Sequence, residues 1–308
     1  MNTLHKYLIV IAGPTAVGKT RAAIHIAGRF ATEILSADSR QFYREMSIGT
    51  AVPSPEELSA VKHHFVQDRS ILNDFDVQKY ATEATILLES LFVNHNIIVM
   101  TGGSGLYIDA VCKGLDALPD ISEETRQQVN QLYAAQGLKG LQDRCLTLDP
   151  EYFATADIKN PRRLQRAIEV CLQTGKPYSE LRKGGVAERP FTTIYIGLQR
   201  ERAQLIERIN ARTDQMIATG FIEEARKLYP LRHLNALNTV GYKELFAHFE
   251  VNDSLEEAIS KIKISTRQYA KRQMTWFKKN SEYQWFDPED IEGIEGFIQS
   301  KIQSTIVR

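Results

Sequence analysis

The sequence has little cysteine and no excess of charge of either sign. Its 308 residues include three cysteines, none in a CxxC pair, and 38 basic residues balance 38 acidic ones. Three widely spaced cysteines favour a reducing compartment over a disulfide framework, so Cys112, Cys145 and Cys171 are predicted to be core residues. Because the charges balance, any nucleic-acid site must be a local patch.

Long hydrophobic runs are also missing. No apolar stretch approaches the roughly 18 residues of a membrane helix, and the first ten residues enter a strand too quickly for a signal peptide. With 43% hydrophobic and 25% charged residues, the composition is that of an ordinary globular chain. We therefore expect a cytoplasmic protein with no membrane partner, and nothing in the sequence demands more than a monomer.

Strands and helices alternate in the first third of the chain. The apolar run "YLIVIA" at 7–12 predicts a strand, and the spacing of "TRAAIHIAGRF" predicts a helix. "EILSADS" and "NIIVMTGGSGLY" predict further strands, separated by the amphipathic helix pattern of "DVQKYATEATILLESLFVNH". The alternation predicts an α/β fold with a mostly parallel sheet flanked by helices. The stretch "GPTAVGKT" between the first strand and its helix makes this predicted fold similar to that of the P-loop NTPases.

A purely helical pattern follows. Ser122 and Asn160 are typical helix starts and Gly175 a typical helix stop, while "TTIYIGL" at 192–198 resumes the sheet. We predict an inserted all-helical domain and a helical final third, although the sequence leaves open whether the inserted helices pack on the core. The predicted parts are a core at residues 1–117, the insertion at 118–188 and the rest of the core at 189–308.

The stretch "GPTAVGKT" follows the first strand and precedes a helix. In this setting the pattern G-x-x-x-x-G-K-T directs backbone N–H groups and a helix N-terminus at phosphate oxygens. Lys19 is predicted to reach the outer phosphates and Thr20 to ligate Mg²⁺. The predicted diphosphate or triphosphate site comprises Gly13, Pro14, Thr15, Ala16, Val17, Gly18, Lys19 and Thr20.

An acidic residue is missing where an ATPase normally needs one. Such enzymes hold Mg²⁺ with a carboxylate at a strand end, whereas "IIVM" continues into "TGGSGLY". This weakens motor and switch functions and leaves small-molecule kinases open. Thr101 and its neighbouring glycines either bind a second polar group of the substrate or only form a tight turn. Asp38, after the second strand, is either a metal ligand, a base, or the cap of a turn.

Two basic segments lack neighbouring acids. "NPRRLQR" places three arginines at a helix N-terminus, where the dipole disfavours positive charge. "TRQYAKRQMTWFKK" belongs to a predicted helix that carries a basic stripe on one side and an apolar stripe, predicted as core, on roughly the opposite side. The basic stripe is Lys263, Arg267, Lys271 and Lys278, and the core stripe is Ala258, Ile262, Tyr269 and Trp276. Contact with a phosphate backbone explains these segments at least as well as a solvated face.

Adjacent histidines in "HHF" could suggest a metal site. Neighbouring residues on a strand point to opposite faces, so His63 and His64 are not expected to share an ion. Packing or hydrogen bonding is the preferred interpretation.

Seven motifs occur in order along nearly the whole chain. They are "GPTAVGKT", "SADSRQFYREMSIGTA", "HHF", "TGGSGLY", "NPRRLQRAIEV", "TVGYKEL" and "RQYAKRQMTWFKK". Together they closely resemble the bacterial tRNA dimethylallyltransferases, also called tRNA isopentenylpyrophosphate transferases. The resemblance implies transfer of a dimethylallyl group from dimethylallyl diphosphate to N6 of the adenosine 3′ of the anticodon, in tRNAs reading codons that begin with U. Diphosphate would be released, and the implied cofactor is Mg²⁺.

The resemblance also assigns catalytic roles. Lys19, Thr20 with Mg²⁺, and Arg212 would stabilise the charge on the leaving diphosphate. Asp38 would accept the proton of the adenine amine, which is a weak nucleophile.

The remaining motif positions would contact the tRNA anticodon stem-loop. Thr101 matches a position that contacts the tRNA near the target base and is counted with the catalytic residues, and Arg126 matches a second tRNA contact. The target base must leave its stack to reach the donor. The other predicted tRNA contacts are Asp38, Ser39, Arg40, Gln41, Arg162, Arg163, Leu164, Gln165, Arg166, Val240, Gly241, Tyr242, Lys243, Lys271, Arg272, Gln273, Trp276 and Lys278.

Two departures and three alternatives stand beside this interpretation. Ser104 replaces a frequent threonine but keeps a hydroxyl, and Val52 replaces a frequent lysine. An adenylate isopentenyltransferase would not need the basic C-terminal helix, and a small-molecule kinase leaves the arginine cluster unexplained. A non-catalytic RNA-binding module gives no role to Lys19, Thr20 or Asp38.

Overall fold

The computed structural model describes residues 5–116, 118–182, 184, 187–251 and 254–306. The chain divides into two compact units. The first unit comprises residues 1–112 and 189–308, and the second comprises residues 113–188. The helices predicted as an insertion therefore all belong to the second unit.

The first unit is built on a parallel sheet, which has six strands over the described residues. The strands are β1 (Tyr7–Ala12), β2 (Ile34–Ser36), β3 (His63–His64), β4 (Ile97–Gly102), β5 (Thr192–Leu198) and β6 (Gln284–Phe286). Their order across the sheet is β3-β2-β4-β1-β5-β6. In the centre, Ile9 lies opposite Val99 of β4 and Ile194 of β5. The predicted α/β fold with a parallel sheet is confirmed.

Helices follow most of the strands. In the first unit they are α1 (Lys19–Arg29), α2 (Pro55–Ala60), α3 (Val77–Asn94) and α4 (Gly105–Lys113), whose last residue opens the second unit. The second unit contains α5 (Glu123–Leu148), α6 (Pro150–Thr155), α7 (Pro161–Thr174) and α8 (Tyr178–Leu181). After β5 come α9 (Arg202–Ala218), α10 (Phe221–Leu228), α11 (Tyr242–Val251), α12 (Leu255–Phe277) and α13 (Ile291–Ile306). Within the described ranges, no helix combines the length and apolar character needed to cross a membrane.

Both faces of the sheet are buried. Leu8 and Val10 of β1 belong to one apolar cluster with residues of α3, α4 and α12. Ile9 and Ile11 point the other way, into a cluster with residues of α1 and α13. This alternation follows from the two-residue period of a strand, and it explains why the central strand is apolar throughout.

The second unit has its own small core of α5, α6 and α7, which contains Cys145 and Leu164. Its predicted helix ends are confirmed. Ser122 caps α5 by accepting the N–H of Thr125, Asn160 caps α7, and Gly175 ends α7 in the left-handed conformation with φ 68°. All three cysteines are buried, as predicted.

The prediction that the final third is helical is wrong at residues 284–286. These residues form β6, which pairs in parallel with β5 and places Gln284 opposite Ile196. Three residues are too few to show a period, so only the neighbouring strand reveals this one.

Candidate functional site

The loop between β1 and α1 is fixed by four side-chain hydrogen bonds. The Thr15 N–H donates to Gln273 Oε1 at 2.8 Å, and Lys19 Nζ donates to Pro14 O at 2.9 Å. Two arginines from the region after β5, Arg200 and Arg208, donate to further carbonyl oxygens of the loop. Gly18 has φ 117°, a conformation that favours glycine. The loop is therefore ordered, with the N-terminus of α1 open to the cavity beside it.

A cavity of about 530 Å³ adjoins this loop and is lined by all five predicted catalytic residues. Lys19 and Thr20 begin α1, Asp38 follows β2, Thr101 lies in β4 and Arg212 lies in α9. The strands are parallel, so their carboxyl ends meet at one edge of the sheet, where ligands of open α/β sheets bind. The structure thus gathers residues that are up to 193 positions apart in sequence, from Lys19 to Arg212.

Two cations and one carboxylate interact in this cavity. Burial lowers the pKa of Lys19 to about 8, Asp38 opposes this shift and Arg212 reinforces it. Burial also lowers the pKa of Arg212, and Asp38 again opposes the shift. A second anion between these cations would offset the cost of enclosing them. The cavity is therefore suited to an anionic ligand.

The lowered pKa of Lys19 predicts a pH dependence of anion binding. Lys19 binds an anion as the ammonium form, which the free protein loses as the pH rises through about 8. Affinity for a diphosphate ester should therefore be full below pH 8 and fall above it, by up to about tenfold per pH unit. Calorimetric titration across this range tests the effect. Lys19→Arg is the control, because its guanidinium stays charged; an equal pH dependence in both proteins would contradict the role of Lys19.

Asp38 both forms a turn and lines the cavity. Its Oδ1 accepts the N–H of Arg40 at 3.1 Å. The next residue, Ser39, donates its N–H to Ser104 Oγ at 3.0 Å. Capping the turn is thus compatible with a role of Asp38 in the cavity, and the serine that departs from the common motif, Ser104, uses its hydroxyl to anchor this turn.

The glycines at the end of β4 and just after it permit close approaches. A Cβ on Gly102 would lie 2.2 Å from Ala37 O, and one on Gly103 would lie 2.2 Å from Gln273 Nε2. The adjacent Thr101 is 8% exposed and donates its hydroxyl to Ile11 O at 3.0 Å. The tight-turn interpretation therefore explains Gly102 and Gly103, while Thr101 still contributes to the cavity wall.

Besides Thr101, three predicted tRNA contacts have buried side chains. Leu164 is in the core of the second unit, and Tyr242 donates its hydroxyl to Glu224 Oε1 at 2.6 Å. Gln273 is 5% exposed and joins the phosphate loop to Gly103 O, to which its Nε2 donates at 2.9 Å. The side chains of Leu164 and Tyr242 are covered by the protein itself, which corrects the prediction of a side-chain contact for these two, whereas Gln273 also lines the catalytic cavity and stays a predicted contact. A sequence motif alone does not distinguish a residue that contacts a partner from a buried residue that supports the contact surface.

A second cavity, of about 400 Å³, collects three of the predicted tRNA motifs. The cavity is lined by residues from each motif: Ser39 and Arg40, Val240 and Lys243, and Arg272. Of the cations, Lys243 and Arg272 are exposed. Tyr269 lines this cavity and the catalytic one, although the sequence predicted it as core. Its position four residues before Gln273 on α12 is the signal that could have placed it at the site.

The basic stripe predicted on α12 is not one surface. Lys263 forms an ion pair with Asp214 at 2.6 Å, whereas Arg267 and Lys271 line a groove between α9 and α12. Trp276, predicted as core, is 37% exposed and donates its indole N–H to Asp109 at 2.8 Å. The helical periodicity of the sequence misplaced these side chains, because the helices that pack beside α12 decide which of its faces is covered.

The predicted contacts of the second unit are mostly at its surface. Arg126, Arg162 and Arg163 are exposed, whereas Gln165 donates to Asn130 Oδ1 at 3.1 Å and Arg166 is half-buried. The exposed arginines give this unit a cationic surface of its own.

A metal would have few protein ligands here. Among the described residues, no group of three or more His, Cys, Asp or Glu side chains is arranged to hold an ion. His63 and His64 have separate partners, Val61 O and Glu33 Oε2, as predicted. Thr20 lines the anion cavity. This donor set suits Mg²⁺, which is commonly held by substrate phosphates and water with few protein ligands.

Comparison with known proteins gives concordant matches. A model of the IPP transferase family matches residues 41–280. A tRNA dimethylallyltransferase of Christiangramia forsetii is 51% identical, over 98% of this chain and 100% of its own length. The crystal structure of a tRNA isopentenylpyrophosphate transferase from Bacillus halodurans is 35% identical, with a TM-score of 0.72 and 97% of each chain covered. A eukaryotic dimethylallyltransferase acting on tRNA shares the fold at 24% identity, with a TM-score of 0.75 over 92% of this chain and 74% of its own.

Proposed function

Because this chain belongs to the IPP transferase family, we propose that it transfers a dimethylallyl group from dimethylallyl diphosphate to N6 of a tRNA adenosine. The acceptor is the adenosine 3′ of the anticodon in tRNAs that read codons beginning with U, and diphosphate is released. The observation that carries this proposal is the cavity where Lys19, Arg212 and Asp38 meet beside the phosphate loop. The enzyme acts as a monomer in the cytoplasm.

Two cations stabilise the leaving group. As the bond between the allylic carbon C1 and oxygen breaks, negative charge grows on the diphosphate, and Lys19, Arg212 and the loop amides face that charge. Thr20 would hold Mg²⁺, which would supply further positive charge to the phosphate oxygens. Lys19 would exchange its bond to Pro14 O for a phosphate oxygen.

One carboxylate takes the proton. As N6 of adenine forms its bond to C1 of the dimethylallyl group, an N6 proton passes to Asp38. Asp38 lines the same cavity as the two cations, and it would accept this proton from an adenine that attacks C1 on the face opposite the leaving oxygen. An adjoining recess shares Asp38 and Arg212 and has apolar walls that include Met216, Phe221 and Ile262, which suit the dimethylallyl group.

Cationic surfaces bind the RNA. Arg40, Lys243 and Arg272 line the cavity next to the catalytic one, where they meet the phosphates around the flipped nucleotide. Tyr269 provides an aromatic wall common to both cavities. The exposed arginines of the second unit, Arg126 and Arg162 among them, bind further phosphates.

A labelling experiment tests the proposal. The purified protein is incubated with Mg²⁺ and radiolabelled dimethylallyl diphosphate, with unmodified tRNA in one tube and AMP in another. Label should appear in tRNA alone, and nuclease digestion should recover it as N6-modified adenosine. Label in AMP alone would support free cytokinin synthesis instead. Label in neither tube would contradict prenyl transfer and reopen the kinase alternative.

A further inference from the structure

Two arginines outside the phosphate loop donate hydrogen bonds to the carbonyl oxygens of two consecutive residues within it. Arg200 Nε donates to Val17 O at 3.0 Å, and Arg208 Nε donates to Ala16 O at 2.8 Å. Arg200 follows β5 and Arg208 lies in α9, so both reach the loop from the far part of the chain. No step of the mechanism above uses either residue.

These bonds orient the loop's N–H groups. In a planar trans peptide unit, the C=O and the following N–H point in opposite directions. A bond from Arg200 to Val17 O therefore turns the N–H of Gly18 away from Arg200. Gly18 lines the cavity and Arg200 does not. The bond thus helps to aim the Gly18 N–H at a bound anion.

The loop needs this restraint because its backbone is strained. Ala16 has φ 63°, in the left-handed region that residues with a Cβ rarely adopt. The bond from Arg208 holds the carbonyl of this same residue. Without such restraints, the free loop would relax to conformations in which its amides no longer converge.

The charge of Arg200 is already balanced. Its side chain is 11% exposed, and its terminal nitrogen lies 2.6 Å from Glu289 Oε1. The same carboxylate lies 3.1 Å from Arg21, so it serves two guanidinium groups. Arg200 therefore differs from Lys19 and Arg212, whose charges face the cavity.

We propose that Arg200, assisted by Arg208, is a positioning residue that holds the phosphate loop ready for the diphosphate of the donor. The inference rests on the proposed function, because it takes diphosphate as the ligand of the loop. A loop held in its binding conformation does not lose conformational entropy when the anion arrives, so its affinity is higher. Arg200 would thus raise affinity for the donor without touching it.

The test measures binding of inorganic diphosphate by calorimetry, with EDTA present so that only the protein's own groups contribute. Arg200→Met removes the donor and keeps the length of the side chain. It should weaken diphosphate binding by about tenfold, as expected when the loop without this bond adopts its binding conformation about one tenth of the time. Arg200→Lys should recover part of the loss. Arg202→Met is the matched control, because Arg202 is exposed two residues away, and its affinity should equal wild type.

Two further readouts separate positioning from folding. Arg200→Met should keep the wild-type tRNA affinity and raise KM for dimethylallyl diphosphate far more than it lowers kcat. An equal loss of tRNA affinity, or diphosphate binding identical to wild type, would overturn the proposal. If Arg200→Met does not fold, Arg200→Lys decides, because it keeps a positive charge beside Glu289 but lacks the Nε–H that bonds Val17 O, and it should also weaken diphosphate binding. Absence of diphosphate binding by wild type would instead refute the proposed ligand of the loop.

Discussion

Asp38→Asn should lower the single-turnover rate of prenyl transfer by about 10²-fold or more, as expected for a lost general base. The amide cannot accept the N6 proton, but its oxygen can still accept the N–H of Arg40, so the turn is kept. Affinity for tRNA should stay near wild type, which filter binding checks. The rate is measured with saturating tRNA and dimethylallyl diphosphate.

The same variant has a second expected effect. Asp38 raises the pKa of Lys19 against the effect of burial, so removal of its charge should lower that pKa below about 8. The loss of diphosphate affinity with rising pH should therefore begin at a lower pH in Asp38→Asn. A wild-type rate in Asp38→Asn would remove the residue from the mechanism, and an unchanged pH profile would contradict its coupling to Lys19.

Arg212→Gln should lower kcat by about 10² to 10³-fold, the range measured when one preorganised donor to a developing anion is removed. Arg212 shares its cavity with Lys19 and Asp38, and the charge on the leaving diphosphate is greatest in the transition state. Glutamine is polar and smaller, so it leaves the fold of α9 intact. Saturating steady-state kinetics with both substrates provide the measurement.

A matched control exists on the same helix. Arg202 begins α9 and is exposed, and it does not line the catalytic cavity. Arg202→Gln should retain the wild-type kcat. Equal losses in the two variants would mean that the substitution acts on α9 as a whole, and the assignment of Arg212 to the leaving group would fail.

Local signals predicted the parts of the site that one segment forms by itself. The phosphate loop has its motif, strand and helix within fewer than thirty residues, from Tyr7 to Arg29. Asp38 and Thr101 line one cavity because parallel strands bring their carboxyl ends to one edge of the sheet. The second unit was recognisable from helix caps such as Ser122 and Asn160, whose side chains accept backbone N–H groups of the helices they begin.

Contacts between distant segments were not predictable. Gln273 lies in a basic motif and was predicted to contact tRNA, yet its side chain accepts the N–H of Thr15 in the phosphate loop, 258 residues earlier. Arg200 and Arg208 belong to no motif, and only the folded chain shows their bonds to Val17 and Ala16. β6 is a strand because β5 lies beside it. Each of these depends on tertiary neighbours, which periodicity in one segment does not record.

The central claim is that the phosphate loop holds the diphosphate of a prenyl donor with its reactive carbon toward Asp38. A crystal structure with a non-reactive thiolodiphosphate analogue of dimethylallyl diphosphate tests it most directly. We expect the diphosphate in the loop, bonded to Lys19 and Arg212, with C1 of the dimethylallyl group directed toward the carboxylate of Asp38. An analogue bound outside the loop, or with C1 directed away from Asp38, would contradict the mechanism.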